Sequence, residues 1–184
     1  MDIRDPIHGS IELNSAEAQV VDSAAFQRLR NIKQLGFGEL SFPGATHSRY
    51  IHSLGAFHLA GRSFDKIFKD FPFTNKRKQK SFRQTLRLAA LLHDIGHGPL
   101  SHSTEEVMPP LKDLRIKLYD KIKRQKANHE DYTVKFITDS PLTQILKKNF
   151  SDILPEHIVA LIDPKLETKD DFFIDNGLNF RPIL

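Results

Sequence analysis

Apolar positions recur at helical spacing along most of the chain and alternate only near its start. Between residues 1 and 14 the turn signals Asp5-Pro6 and His8-Gly9 flank short alternation at Ile11 and Leu13, which predicts a loop or small hairpin. Ser15 then stands as an N-cap before Val20, Val21, Ala24 and Ala25, and Ser23 can recap a second helix that carries Phe26, Leu29 and Ile32 and ends at Gly36. Residues 36–46 hold three Gly and one Pro and predict a loop. Over residues 48–71 a long helix is expected, with Ile51, Leu54, Phe57, Ala60, Phe64, Ile67, Phe68 and Phe71 as one buried stripe and Pro72 as its stop. The basic cluster Lys76-Arg77-Lys78-Gln79-Lys80 leads into another helix through Leu86, Leu88, Ala89, Ala90, Leu91 and Leu92. That helix is apolar almost all round near its end, which places the end deep in the core, and Gly96, Gly98 and Pro99 break it. A short helix over 102–108 ends at Pro109-Pro110, and further helical patterns occupy about 111–126, 129–138 and 152–162. The tail from Pro164 is mixed and leaves Phe172, Phe173, Ile174 and Phe180 in want of a partner. With no internal repeat, this is an all-α helical bundle of one domain, residues 1–184, behind a short irregular or hairpin N-terminal segment.

Composition narrows the chemistry. At 184 residues with 39% hydrophobic and 27% charged positions, the chain has the make-up of one ordinary globular domain. No run approaches the roughly 18 apolar residues of a transmembrane helix, so no membrane partner is expected. The start, Met-Asp-Ile-Arg-Asp-Pro, has no apolar signal core, and a cytoplasmic location is expected. The absence of cysteine excludes a disulfide scaffold, a thiolate zinc site and a cysteine nucleophile. A formal charge of +4 favours anionic ligands without naming one. Any metal site must be built from the nine histidines and the carboxylates, a donor set that suits Fe, Mn, Zn or Ni, with Mg also open.

Candidate chemistry concentrates in Leu91-Leu92-His93-Asp94-Ile95-Gly96-His97-Gly98-Pro99-Leu100-Ser101-His102. His93 and Asp94 fall at the apolar end of a buried helix, where an ionised carboxylate is costly unless paired or bound to a cation. His97 and His102 follow on a loop loosened by two glycines, so that their rings can lean over whatever His93 and Asp94 hold. The alternative is a polar network that caps the helix. His52 lies in the long helix with Arg49 nearly one turn before it; a lone helical histidine is otherwise a hydrogen-bonded core residue, but a phosphate held beside a metal calls for such a guanidinium. His129-Glu130 reads by itself as the first turn of a helix. His8, His47, His58 and His157 are assigned structural roles. The basic run from Lys112 to Lys126 reads as a solvated face, with a phosphate or nucleic-acid contact as the alternative.

These residues resemble the HD-domain metal-dependent phosphohydrolases, and most closely the deoxynucleoside triphosphate triphosphohydrolases of the SAM- and HD-domain type. The resemblance rests on Arg4-Asp5-Pro6-Ile7-His8-Gly9, Phe26-Gln27-Arg28-Leu29-Arg30, Lys33-Gln34-Leu35-Gly36, Phe42 to Tyr50, His52-Ser53-Leu54-Gly55 and the string from His93 to His102. It is dense over residues 4–105 and returns at His129-Glu130. It implies an HD-domain fold with His52, His93 and Asp94 as ligands of one divalent metal ion. It also implies that His97, His102 and His129 line the catalytic pocket, that Arg49 contacts phosphate, and that Gln34 and Leu35 contact a 2′-deoxyribose. Asp22, Gln27 and Arg30 match a guanine-nucleotide activator site at a subunit interface, which implies a homo-oligomer, a dimer or tetramer; a lysine that usually precedes the Asp-Pro block has no counterpart. The fourth ligand, an Asp, is expected beyond Leu184, so that the chain reads as the N-terminal part of a longer protein; Asp170, Asp171 and Asp175 do not match its surroundings.

The implied reaction is hydrolysis of a deoxynucleoside triphosphate to deoxynucleoside and triphosphate. A divalent ion would polarise a phosphate oxygen and acidify a water, Arg49 would stabilise charge on the phosphoryl oxygens, and His102 or His97 would protonate the leaving oxygen. Two other readings compete: an HD-domain phosphohydrolase acting on nucleoside monophosphates or other phosphate esters, and a nucleic-acid-binding or regulatory module built on the basic segments at 76–80 and 112–126, whose binding would fall steeply with salt.

Overall fold

The computed structural model describes residues 1–119 and 126–184. Strands β1 (Asp2–Asp5) and β2 (Gly9–Glu12) form an antiparallel hairpin with Asp5 opposite Gly9. Its turn is held by the Asp5 carboxylate, which accepts from the backbone N–H groups of Ile7 at 2.9 Å and His8 at 2.7 Å. Helix α1 (Ser15–Val21) is capped by Asn14 and not by Ser15. The Asn14 side chain accepts from the Glu17 N–H while the Glu17 carboxylate accepts from the Asn14 N–H, a reciprocal capping box. Glu17 is buried with its carboxylate paired to Arg87, whose Nε lies 3.0 Å from Glu17 Oε1, and it also accepts from Gln84 Nε2 at 2.9 Å. Ser23 caps the short helix α2 (Ala24–Gln27) as the sequence predicts, but the helix passes into a 3-10 turn at Arg28–Asn31 and stops short of the predicted end at Gly36. The predicted loop at 36–46 begins as a 3-10 turn, Gly36–Leu40.

Two long helices, α3 (Arg49–Ile67) and α4 (Lys76–Leu92), pack along each other. The buried side of α3 carries Tyr50, Leu54, Phe57 and Phe64, whereas Ile51 and Ile67, both placed on the predicted stripe, are 41% and 68% exposed. The helix stops at Ile67, four residues early, and Phe68, Phe71 and Phe73 turn back into an aromatic cluster in place of a last helical turn. Helix α4 starts within the basic cluster, capped by Asn75, and ends with Leu88, Leu91 and Leu92 fully buried.

Beyond the α4 terminus, residues Ser101–Val107 form a 3-10 helix where a short helix is predicted. The helix predicted over 111–126 is reduced to a 3-10 turn at Leu111–Leu114, ended by Arg115 at φ +48°; residues 120–125 of that prediction lie outside the described residues. Helices α5 (His129–Thr138), α6 (Pro141–Asn149) and α7 (Pro155–Ile162) complete the bundle. The sequence reading passes over α6, and α7 starts three residues later than predicted.

The tail ends in a small hairpin, β3 (Ile174–Asp175) and β4 (Leu178–Asn179), whose Asn176-Gly177 turn has φ +46° and +75°, the left-handed pair that a tight hairpin needs. Its apolar residues find their partners inside: Phe173 and Phe180 are buried against Phe64, Phe68 and Phe82, with the Phe82 and Phe180 rings 5.0 Å apart, while Ile174 stays 42% exposed. Asp175 is buried and accepts from the Thr74 N–H at 3.1 Å, so that it anchors the tail. The body of the protein is all-α around a main core that includes Phe26, Leu29, Phe57, Leu91, Leu92 and Ile95, beside the smaller aromatic cluster. Among the described residues no helix is long and apolar enough to cross a membrane.

The tail is also tied to α7. Buried His157 accepts the Leu154 N–H on Nδ1, so that its Nε2–H is free to donate to Asp170 at 2.9 Å. Burial works to raise the Asp170 carboxyl, but the hydrogen bond from His157 and the Phe172 N–H outweigh it and hold Asp170 below the usual carboxylate range. A depressed carboxylate contributes stability that is present above the unfolded value of about 3.9 and is lost as pH falls through the folded value. Asp170→Asn is therefore expected to be less stable than wild type at neutral pH and to close that gap as pH drops below about 4. Urea midpoints of both proteins across pH 3–7 check this; a gap independent of pH would refute it.

Candidate metal centre and catalytic cleft

Three segments bring the candidate residues together. Residues 32–34 pair with 47–49, through Gln34 N–H to His47 O at 3.1 Å and Arg49 N–H to Ile32 O at 2.8 Å, which sets Gln34 and Leu35 beside the first turn of α3 with its Arg49 and His52. His93 caps the C-terminus of α4, and the turn after it is held from two sides. Thr133 of α5 donates from Oγ1 to the His93 carbonyl at 3.1 Å and accepts the Gly96 N–H at 3.0 Å. Arg28 donates to the carbonyl of His97 at 2.6 Å and to that of Ile95. Gly96 does not break the helix by a special φ; it is the point where the first turn of α5 presses on the backbone. Leu100 and Ser101 take φ +64° and +58°, two successive left-handed residues without glycine, a costly conformation kept beside the cleft.

Ligand atoms of His52, His93 and Asp94 lie within 4.8 Å of one another. His52 Nε2 is 3.2 Å from His93 Nε2, and Asp94 lies 3.8 Å from the former through Oδ2 and 3.5 Å from the latter through Oδ1. His93 Nδ1 sits 2.8 Å from the Ala90 carbonyl, which can only accept; the ring proton is therefore on Nδ1 and Nε2 presents a lone pair to the group. Burial, and then the neighbouring His93, Arg49 and His47, push His52 below its ordinary value against the pull of Asp94, which favours its neutral, ligating form. Burial works to raise Asp94, but His93, Arg49 and His97 outweigh it and keep it an ionised carboxylate. Two imidazole lone pairs and a carboxylate facing one point fit a divalent transition ion.

A second group adjoins the first. The rings of His97 and His129 stack with centroids 3.9 Å apart, and His102 meets both edge-on at 4.9 Å. Glu105 accepts from Nδ1 of His102 at 3.0 Å and from Nδ1 of His129. Burial alone would raise Glu105; those two hydrogen bonds reverse the direction and hold it below the usual carboxylate range. His97 is only 2% exposed, with Nε2 3.5 Å from Asp94 Oδ1, and burial together with His129, Arg49 and His102 pushes it down to about 3. It is a neutral imidazole at physiological pH.

Both groups face a cleft of about 490 Å³ lined by Gln34, Leu35, Arg49, His52, Asp94, His97, Ser101, His102 and His129. Eight of the predicted site residues thus share one cavity, and His93 joins them through the metal group. Arg49, the residue expected to contact phosphate, already has protein partners. It is buried, with Nη1 2.6 Å from Asp94 and Nη2 donating to Ser101 and to the Gln34 carbonyl. Gln27 and Arg30, which do not line this cleft, touch at 2.7 Å, Arg30 also donates to the Tyr50 hydroxyl at 2.8 Å, and Asp22 is exposed at the end of α1. Sequence reasoning missed Glu105, Thr133 and Arg28. Glu105 carried a signal, three residues after His102, and Arg28 stood within the Phe26–Arg30 block without a role assigned to it.

The HD domain matches residues 49–173. The deoxynucleoside triphosphate triphosphohydrolase SAMHD1 of Bos taurus is 45% identical over 170 residues, 89% of this chain and 26% of that protein. An uncharacterized protein, the MG461 homolog of Mycoplasma pneumoniae, is 37% identical over 169 residues, 90% of this chain and 36% of the relative. Among solved structures, a hypothetical protein from Aquifex aeolicus superposes with a TM-score of 0.65 at 32% identity, covering 91% of this chain and 38% of that one. The chain spans a quarter to about two fifths of the length of these relatives. With His52 of α3 brought against His93 and Asp94 at the end of α4, the chain belongs to the HD-domain family.

Proposed function

We propose that the chain is the HD core of a phosphohydrolase that cleaves a deoxynucleoside triphosphate into deoxynucleoside and triphosphate. The observation that carries this reading is the convergence of His52, His93 and Asp94 beside a cleft that three further imidazoles, Gln34 and Leu35 also line. The similarity to the bovine triphosphohydrolase supports the choice of substrate.

His52, His93 and Asp94 would hold one divalent ion, Fe, Mn, Zn, Ni or Mg, with a fourth ligand, an Asp, supplied by chain beyond Leu184. When bound, such an ion supplies Lewis acidity toward a phosphoryl oxygen and toward water. The protein's own side chains do the rest. Arg49 fixes the Asp94 carboxylate and, through Ser101, the left-handed turn, so that its part in binding phosphate is to shape the cleft as well as to place positive charge behind it. Of the two histidines expected to protonate the leaving oxygen, His97 is buried and held neutral, whereas the His102 side chain is 66% exposed and anchored by Glu105. His102 is the proton donor in this scheme. His129, which shares Glu105, and His97, stacked on it, line the phosphate side. Leu35 offers the sugar an apolar wall with no partner for a 2′-hydroxyl, which favours deoxyribose, and Gln34 stands beside it. Asp22, Gln27 and Arg30 are proposed as the guanine-nucleotide activator contact of a homo-oligomer.

The test is a panel of deoxynucleoside triphosphates and monophosphates given to the full-length protein, with phosphate products resolved by chromatography. Intact triphosphate is expected, and His93→Ala is expected to bring its release below detection. Monophosphate hydrolysis alone would move the function to the general phosphoesterase reading. Undiminished turnover in His93→Ala would remove the site altogether.

A further inference from the structure

We propose that His97, His102 and His129 form a second cation site, distinct from the first, that takes a zinc-like transition ion. The two groups share no residue, and ring nitrogens of all three histidines lie within 4.8 Å of one another. Tetrahedral zinc at about 2.1 Å per nitrogen sets its ligands about 3.4 Å apart, so closure asks the stacked His97 and His129 rings, 16° from parallel, to turn apart until their lone pairs meet. It also asks for an inward swing of His102, whose exposed side chain is free to make it.

What marks these rings as ligands is how their other edges are held. Glu105 accepts from Nδ1 of both His102 and His129, which fixes a ring proton there and leaves Nε2 of each as the nitrogen open to a cation. A carboxylate behind an imidazole is the arrangement that orients metal-ligating histidines and raises their basicity. His97 turns Nε2 toward Asp94 at 3.5 Å and has a buried Nδ1 with no hydrogen-bond partner. An unpaired buried nitrogen is unfavourable, and a cation between the rings would give this histidine a use for its lone pair. The donor set is all imidazole, which selects Zn²⁺, Co²⁺ or Ni²⁺ over the oxygen-seeking Mg²⁺ and Ca²⁺.

Occupation has a consequence that rests on the phosphohydrolase reading: an ion on the His102 lone pair removes the proposed proton donor, so excess zinc is expected to stop turnover. Binding itself is independent of that reading and is tested with ZnCl₂ alone. In calorimetric titration the His52→Ala/His93→Ala protein, which lacks the first group, is expected to keep one equivalent of Zn²⁺. Adding Glu105→Gln should weaken it by about 10- to 100-fold, the loss typical of an outer-sphere partner, and adding His102→Ala should abolish it. The visible spectrum of Co²⁺ titrated into each protein gives a second readout, and circular dichroism checks that each is folded. A folded His52→Ala/His93→Ala protein with no zinc uptake, or uptake unchanged by His102→Ala, would overturn the proposal. In the wild type, His102→Ala alone should lower zinc uptake by one equivalent, which decides the matter if the double variant fails to fold. Zinc uptake as expected in a full-length protein without hydrolase activity would keep this site and refute the phosphohydrolase reading.

Discussion

Asp94→Ala is expected to cost about 3–5 kcal/mol of stability in the metal-free protein, besides abolishing hydrolysis. The reason lies in Arg49 more than in the aspartate. Both side chains are buried, Arg49 at 3% and Asp94 at 6% exposure, and they meet at 2.6 Å through Nη1 and Oδ2. Removing the carboxylate strands a guanidinium whose other hydrogen bonds, to Ser101 and to the Gln34 carbonyl, cannot balance its charge. Its Nε already has no partner. Removing both charges behaves differently, because a buried pair replaced by apolar side chains of similar volume is often neutral in stability. Arg49→Met combined with Asp94→Ala should therefore be more stable than Asp94→Ala alone, and both should fail to hold metal at the first group. Urea denaturation in the presence of EDTA measures the first claim and metal analysis after dialysis the second. If the double variant were no more stable than the single one, Arg49 would not depend on Asp94, and the pair would have to be reassigned as a surface-type contact of little energetic weight.

Legibility from the sequence followed the locality of the interactions. His93, Asp94, His97 and His102 stand within ten residues at the end of an apolar helix, and folding keeps them together while dividing them between two adjoining groups. His52 joins them because α3 and α4 lie side by side, which a long periodic pattern makes predictable. Glu105 escaped because half of its role comes from His129, twenty-four residues away. Arg28 escaped because it acts on backbone carbonyls 67 and 69 positions along the chain, and a carbonyl leaves no mark in a sequence. The stripe of α3 was read one position out at Ile51 and Ile67, since spacings of three and four fit neighbouring faces nearly equally well and packing against α4 decides between them. The helix expected from residue 111 failed from its start, where Arg115 turns left-handed after a single 3-10 turn; there tertiary context overrides propensity.

Gly96→Ala is expected to disable the centre from a position that carries no chemistry. A Cβ at Gly96 would lie 1.9 Å from the His129 carbonyl oxygen, 2.4 Å from the Thr133 nitrogen and 2.6 Å from Thr133 Oγ1. Two of these are backbone atoms in the first turn of α5, so no side-chain rotation relieves the clash and the helix must move. Overpacking of this kind costs about 1–3 kcal/mol, and more where backbone is displaced. The displacement falls on the atoms that hold the site. Thr133 would lose the Gly96 N–H and the His93 carbonyl, and His129 would leave its stack on His97 and its bond to Glu105. Hydrolysis should then fall by far more than stability alone explains, because a shift of about 1 Å in catalytic groups is worth about 100-fold in rate. Gly44→Ala provides the comparison: a Cβ there meets nothing within 4 Å, and the change should stay within about 0.5 kcal/mol with activity intact. The decisive measurement is turnover of full-length Gly96→Ala at a temperature where more than nine tenths of it is folded. Wild-type turnover under that condition would mean that the contact between α5 and the turn after His93 does not position the catalytic histidines, and that His129 reaches the cleft by some other support.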